Sequence, residues 1–199
     1  MMDDRITRRA VLKSLGMGAA VGSVLRVIPL QAAEHAHHMI EAEKADAQGG
    51  VYTPKFFDAH TYKTVQAMCE TILPADADSG GAIEGGAPEF IDLLTSENES
   101  YQAILAPGLK GLDSTCSSKY GKAWLDCTAA QQTEILDLIA YRKNADQDES
   151  LVPAVEFFSL LRNLTADAFF TSKVGIKYLG YKGNTYLPDF PGCPPVPGV

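Results

Sequence analysis

Apolar side chains recur every three or four positions along much of this chain, and this spacing constrains the fold more than any other feature. Over residues 53–74, one predicted helix face carries Phe57, Thr61, Val65, Met68 and Ile72. Thr53 followed by Pro54 is typical of a helix start, and Pro74 predicts the end of that helix. Stretches in which apolar and polar residues alternate are scarce, so the predicted fold class is all-α.

Start and stop signals predict further helices along the chain. Pro88 opens a second helix, Pro107 predicts a break in a third helical stretch, and Gly121 ends that stretch. Thr128 and Gln131 have the spacing of a capping box, which predicts the start of another helix.

The remaining segments predict the domain organisation. The Gly-rich stretch 74–88 is predicted to be a loop. Residues 34–50 are predicted to be a flexible linker, and residues 51–199 a small helical domain. From about residue 176 the domain is expected to continue as an extended arm rich in Pro and Tyr, because its prolines fit neither a helix nor a central strand.

Near the N-terminus, residues 7–13 have the pattern of a twin-arginine export signal. A short apolar run rich in Gly follows, which suits a cleavable signal better than a stable membrane anchor. We expect the signal to cover residues 1–33, with cleavage after Ala33; retention of an uncleaved signal and an ordinary amphipathic helix are the alternatives. The residues expected to act in export are Arg8, Arg9, Leu12 and Lys13.

The chain is acidic, with 17 Lys and Arg against 25 Asp and Glu and a formal net charge of −8. The predicted signal holds several of the basic residues, so the rest of the chain is more acidic still. This composition argues against nucleic-acid binding, which needs clustered basic side chains.

The chain contains four cysteines, Cys69, Cys116, Cys127 and Cys193. An exported protein meets an oxidising compartment, so disulfides are possible, and four cysteines allow three pairings. Cys116 and Cys127 are nearest in sequence and could close a short loop. Cys193 lies in the predicted arm and could instead bridge to another chain.

No motif in the sequence predicts a catalytic, cofactor-binding or metal-binding site. The segment 76–87 begins like a calcium loop, but glycine and alanine occupy two of the ligand positions, including the last. His35, His37 and His38 lie in the predicted linker, where no neighbouring groups are expected to orient them toward a metal ion. An export signal for folded cargo without a cofactor site suggests that the cofactor belongs to a partner.

Two blocks of sequence resemble the gluconate 2-dehydrogenase subunit 3 family. The first runs from Val65 through Pro74 to Asp92. The second runs from Phe158 to Pro194 and contains the most specific element, the Leu-Gly-Tyr-Lys-Gly-Asn sequence over 179–184. The resemblance covers roughly residues 55–194.

This resemblance implies a small subunit, exported by the twin-arginine translocase, of a periplasmic dehydrogenase for sugars or sugar acids. The implied partners are a large catalytic subunit that carries FAD and lacks a signal of its own, and a multihaem cytochrome c subunit. The family implies no catalytic residue in this chain. Aromatic side chains dominate many interfaces, and the residues expected at the partner interface are Tyr178, Tyr181, Asn184, Tyr186 and Phe190.

The sequence therefore predicts an accessory, non-catalytic subunit that escorts and stabilises a catalytic partner in the periplasm. The alternative is a stand-alone exported enzyme, or a protein that binds a ligand or a metal ion. In either case the aromatic residues near the C-terminus could instead pack on the subunit's own core.

Overall fold

The computed structural model describes residues 28–47 and 49–183, and these residues contain helices and no strand. The predicted all-α class is confirmed. The α-helices are Leu30–Asp46 (α1), Ala59–Ile72 (α2), Ala87–Glu97 (α3), Glu99–Tyr120 (α4), Ala129–Ile139 (α5), Arg142–Gln147 (α6), Val152–Thr171 (α7) and Lys173–Tyr178 (α8). Short 3-10 turns lie at Trp124–Asp126 and Glu149–Leu151.

Helix α7 is the centre of the fold and packs against every other α-helix of the described ranges. Its buried side chains cover most of its circumference, which is typical of a helix surrounded by others. They include Phe157, Leu160, Leu161, Leu164, Ala168 and Phe169. The hydrophobic core therefore forms around α7, with α3 and α4 on it most extensively.

Several helix ends follow the local signals in the sequence. Pro88 lies in the first turn of α3, and Gly121 caps α4 with a φ of 70°. Such a left-handed backbone costs glycine little, because it has no Cβ. At the start of α5, Thr128 and Gln131 form the predicted capping box. These three predictions are confirmed.

The predicted helix start at Thr53 and Pro54 is wrong, because α2 begins at Ala59. The side chain of Asp58 caps this helix by accepting a hydrogen bond from the backbone N–H of Thr61 at 2.7 Å. The backbone N–H groups of residues 55–57 donate instead to a carboxylate on α3. A tertiary contact thus holds this segment outside the helix.

The break predicted at Pro107 is also wrong, since α4 continues through this residue. A proline inside a helix lacks one N–H and therefore removes one backbone hydrogen bond of the helix. The packing of α4 along α7 stabilises the helix on both sides of that position.

The linker predicted for residues 34–50 is wrong over residues 34–46, which belong to α1. Three buried alanines, Ala32, Ala33 and Ala36, let α1 lie close to α3 and α7, and Ile40 is buried one turn further along. Ion pairs of 2.6 Å join Lys44 to Glu89 and Lys173 to Glu41. The predicted signal boundary after Ala33 lies inside this packed helix.

At the other end, the predicted arm is wrong for residues 176–178, which are part of α8. The side chain of Ser172 starts α8 by accepting from the N–H of Gly175 at 3.1 Å. A Cβ on Gly175 would overlap the carbonyl oxygen of Phe169, so only glycine allows α8 to turn back this closely on α7. Residues 184–199 of the predicted arm lie outside the described residues.

Candidate partner-binding surface

A cluster of exposed apolar side chains lies where α7 and α8 end, and we call it the aromatic patch. Its members, with their exposed fractions, are Phe170 (41%), Tyr178 (51%), Leu179 (58%) and Tyr181 (58%). Exposed large apolar groups that cluster in this way mark sites of protein interaction more often than single exposed residues do.

The buried ring of Phe169 holds the patch together. It makes an edge contact with Phe170, with ring centroids 5.2 Å apart, and it lies 6.4 Å from the ring of Tyr178. Both distances lie in the range that aromatic pairs prefer. Phe169 is only 1% exposed, so the exposed rings of Phe170 and Tyr178 pack against a side chain of the core.

The backbone after α8 is fixed by its own hydrogen bonds. The N–H groups of Leu179 and Gly180 donate to the carbonyls of Gly175 and Lys177, at 2.9 and 3.0 Å. Tyr181 then donates to the carbonyl of Ile176 at 3.2 Å, and Gly180 takes a φ of 64°. This helix cap orients the patch before any partner binds, which lowers the entropy lost on binding.

An apolar groove lies on another part of the molecule, between α4, α5 and α7, and has a volume of about 290 Å³. Its walls are mainly aliphatic, and polar groups enter it from Thr115, Ser150 and Glu156.

A buried carboxylate, which the sequence analysis did not single out, lies at Asp92 on α3. Its Oδ2 accepts from the hydroxyl of Tyr52 at 2.9 Å and the N–H of Lys55 at 2.6 Å. Its Oδ1 accepts from the N–H groups of Phe56 and Phe57 at 3.1 and 2.9 Å. The only available signal was an acidic residue within the apolar run 90–94.

These hydrogen bonds give Asp92 a structural role. Burial, reinforced by the negative charge of Asp92, raises the pKa of Tyr52 far above its ordinary value. Tyr52 therefore remains a proton donor, and the carboxylate attaches the segment before α2 to the middle of α3.

Comparison with known families decides how the aromatic patch is interpreted. A family model described as gluconate 2-dehydrogenase subunit 3 matches residues 59–192. The chain belongs to the gluconate 2-dehydrogenase subunit 3 family. No curated protein and no solved structure matches the chain. The resemblance inferred from the sequence is confirmed, and the match begins at the first residue of α2, after α1.

The family description makes this subunit 3 chain part of a gluconate dehydrogenase complex, which implies a dehydrogenase partner. Two of the residues expected at the partner interface, Tyr178 and Tyr181, lie in the aromatic patch. The other three, Asn184, Tyr186 and Phe190, lie outside the described residues, as do the expected export residues Arg8, Arg9, Leu12 and Lys13.

The cysteines of subunit 3 occupy two different places. Cys69 lies in the core on α2, where its sulfur is 3.5 Å from the hydroxyl of Thr165. Cys116 and Cys127 lie together near the end of α4, and all three are buried free thiols. Cys193 lies outside the described residues.

The histidines considered as metal ligands lie on α1. His37 is 3.0 Å from the hydroxyl of Thr171, and its ring lies against Phe90 with centroids 5.1 Å apart. Burial lowers the pKa of His37, which favours the neutral ring. The described residues hold no group of three or more His, Cys, Asp and Glu placed to bind a metal ion. In the same ranges, no helix is both long and apolar enough to cross a membrane.

Proposed function

We propose that this chain is the accessory, non-catalytic subunit of a periplasmic FAD-dependent dehydrogenase that oxidises gluconate or a related sugar. In this proposal it binds the catalytic subunit, which has no signal of its own, stabilises it and escorts it through the twin-arginine translocase. A multihaem cytochrome c subunit accepts the electrons in the assembled complex.

The observation that carries the proposal is the aromatic patch on a member of this family. A family described as a dehydrogenase subunit requires a surface for its partner. Tyr178 and Leu179 supply large apolar side chains in a fixed orientation, and aromatic anchors of this kind contribute most to binding in many interfaces. The signal pattern around Arg8 and Arg9 supports the export role.

Co-expression of the large flavoprotein subunit with this chain tests the escort role. We expect the flavoprotein to reach the periplasm only when subunit 3 is present. Replacing Arg8 and Arg9 together with lysine should retain both proteins in the cytoplasm, as measured by fractionation and dehydrogenase activity. A flavoprotein that reaches the periplasm without subunit 3, or with the lysine variant, would contradict the proposal.

The variant Tyr178→Ala/Leu179→Ala tests the patch itself. We expect its affinity for the flavoprotein to fall roughly 30-fold, since two truncated anchors cost about 2 kcal/mol together. Tyr141→Ala is the matched control, because Tyr141 is equally exposed (53%) but lies beside α6. Titration calorimetry or surface plasmon resonance measures both. Equal affinities for the two variants would exclude the patch as the interface.

The apolar groove favours the second candidate function, a stand-alone protein that binds a small ligand. Its volume of about 290 Å³ is near the lower end of ligand pockets. Native mass spectrometry and an absorption spectrum of the purified chain separate the two functions. A stoichiometric small molecule in the isolated subunit would favour ligand binding.

A further inference from the structure

Two cysteine side chains lie near each other at the C-terminal end of α4. Cys116 lies in the last turns of α4 and is fully buried, and Cys127 follows the 3-10 turn and is 8% exposed. The Cys127 thiol lies near enough to Cys116 to contribute to the raised pKa of the Cys116 thiol. The Cys127 thiol also lies 3.4 Å from the carbonyl oxygen of Ala123, to which it donates.

The turn that carries Cys127 is held against α4 from both sides. The N–H of Trp124 donates to Oδ1 of Asp113, one helical turn before Cys116, at 2.9 Å. The carbonyl of Trp124 accepts from the side chain of Gln132 on α5 at 2.9 Å. Because Trp124 is completely buried, the backbone between the two cysteines has little freedom to separate the sulfurs.

Cys116 is the less reactive thiol of the pair. Burial raises the pKa of the Cys116 thiol to about 12, and the nearby Cys127 and Asp113 add to this effect. A thiol reacts with disulfides as its thiolate, so Cys116 is a poor first nucleophile. Cys127 lies closer to solvent and is the sulfur that an oxidant reaches first.

We propose that Cys116 and Cys127 form an intrachain disulfide after the subunit has folded, when the folded protein meets a disulfide oxidant. The Cys127 thiolate attacks one sulfur of the oxidant disulfide, forms a mixed disulfide and releases one thiol. The Cys116 thiolate then attacks the Cys127 sulfur and releases the second thiol. Two protein thiols lose two electrons, and the oxidant is reduced to two thiols that carry the two protons.

In the proposed order, folding comes first and oxidation second. Cys116 and Cys127 are free thiols that belong to the packed core, so the bond joins residues that the fold has already placed in the same region. The disulfide then lowers the conformational entropy of the unfolded chain by closing the short loop between Cys116 and Cys127. Only the place of oxidation, an oxidising compartment after export, rests on the proposed function; the pairing of the two sulfurs does not.

Purified full-length protein tests the inference without any partner. The reduced protein is incubated with oxidised glutathione, denatured in acid, alkylated and digested, and the linked peptides are identified by mass spectrometry. We expect a link between Cys116 and Cys127, with Cys69 alkylated. The Tm should rise by about 5–10 °C, as closing a loop of this length predicts for a domain of this size. A reductant should reverse both changes.

Matched variants separate this bond from other oxidation. Cys127→Ser retains a donor to Ala123 and should lose both the link and the gain in Tm, whereas Cys69→Ala should keep both. Alkylation of Cys116 and Cys127 after oxidation would overturn the pairing, and so would links that involve Cys69 or Cys193. A link between Cys116 and Cys127 with an unchanged Tm would overturn the stabilising role of the bond. Failure of export in the co-expression experiment would leave these results unchanged.

Discussion

Replacing Asp92 with asparagine lowers the free energy of unfolding by about 3 kcal/mol in urea titrations followed by circular dichroism. Each carboxylate oxygen of Asp92 accepts two hydrogen bonds, from Tyr52 and residues 55–57. An asparagine places an NH₂ group where one of these oxygens lay. Two buried donors then lose their acceptor and face another donor, and each unsatisfied group costs about 1–3 kcal/mol.

Two further variants make the Asp92 prediction specific. Tyr52→Phe removes one of the four hydrogen bonds and leaves no new donor unpaired, so we expect a loss of about 1 kcal/mol. Asp137→Asn is the matched control, because Asp137 is exposed on α5, and its effect should lie within about 0.5 kcal/mol of zero. Equal stabilities of the Asp92 and Asp137 variants would show that this carboxylate does not hold the segment before α2.

Gly108→Ala lowers the free energy of unfolding by about 2 kcal/mol, because it forces α4 and α7 apart. A Cβ on Gly108 would overlap ring carbons of Phe157 and lie 2.7 Å from the Cβ of Phe157. Phe157 is 1% exposed, so its ring packs inside the protein between α7 and its neighbours. The steric cost exceeds the gain of about 1 kcal/mol that alanine brings to a helix interior.

Gly111 also lies on α4, but its replacement with alanine should raise the stability of the protein. A Cβ there meets no atom within 4 Å, so Gly111→Ala should stabilise the protein by about 0.5–1 kcal/mol through helix propensity alone. Thermal and urea unfolding of the two alanine variants should therefore shift in opposite directions. Stabilisation by both substitutions would mean that α4 and α7 are not in close contact at Gly108.

Features that depend on a few neighbouring residues were predictable from the sequence. The capping box of Thr128 and Gln131 and the glycine cap at Gly121 are satisfied within one turn of helix and need no distant contact. The all-α class follows in the same way, because the spacing of apolar residues reports the period of the helix.

Predictions failed where a distant element competes with the local signal. Thr53 and Pro54 have the pattern of a helix start. The backbone N–H groups of Lys55 and Phe57 that follow them instead donate hydrogen bonds to the carboxylate of Asp92. Residues 34–46 have no strong apolar period, yet they form part of α1, whose buried alanines face α3 and α7 and whose Lys44 and Glu41 form ion pairs. Neither outcome can be read from a short window of sequence.

The sequence by itself determined the helical class, several helix ends and the family, because each depends on local periodicity or on motifs. Only the tertiary structure decided that Cys116 lies beside Cys127 while Cys69 pairs with Thr165 in the core. It also decided that Tyr178 and Leu179 face solvent at the end of α8. These arrangements depend on how α7 packs against the other helices. Packing brings together residues that are far apart in the sequence, and local sequence patterns do not predict such contacts.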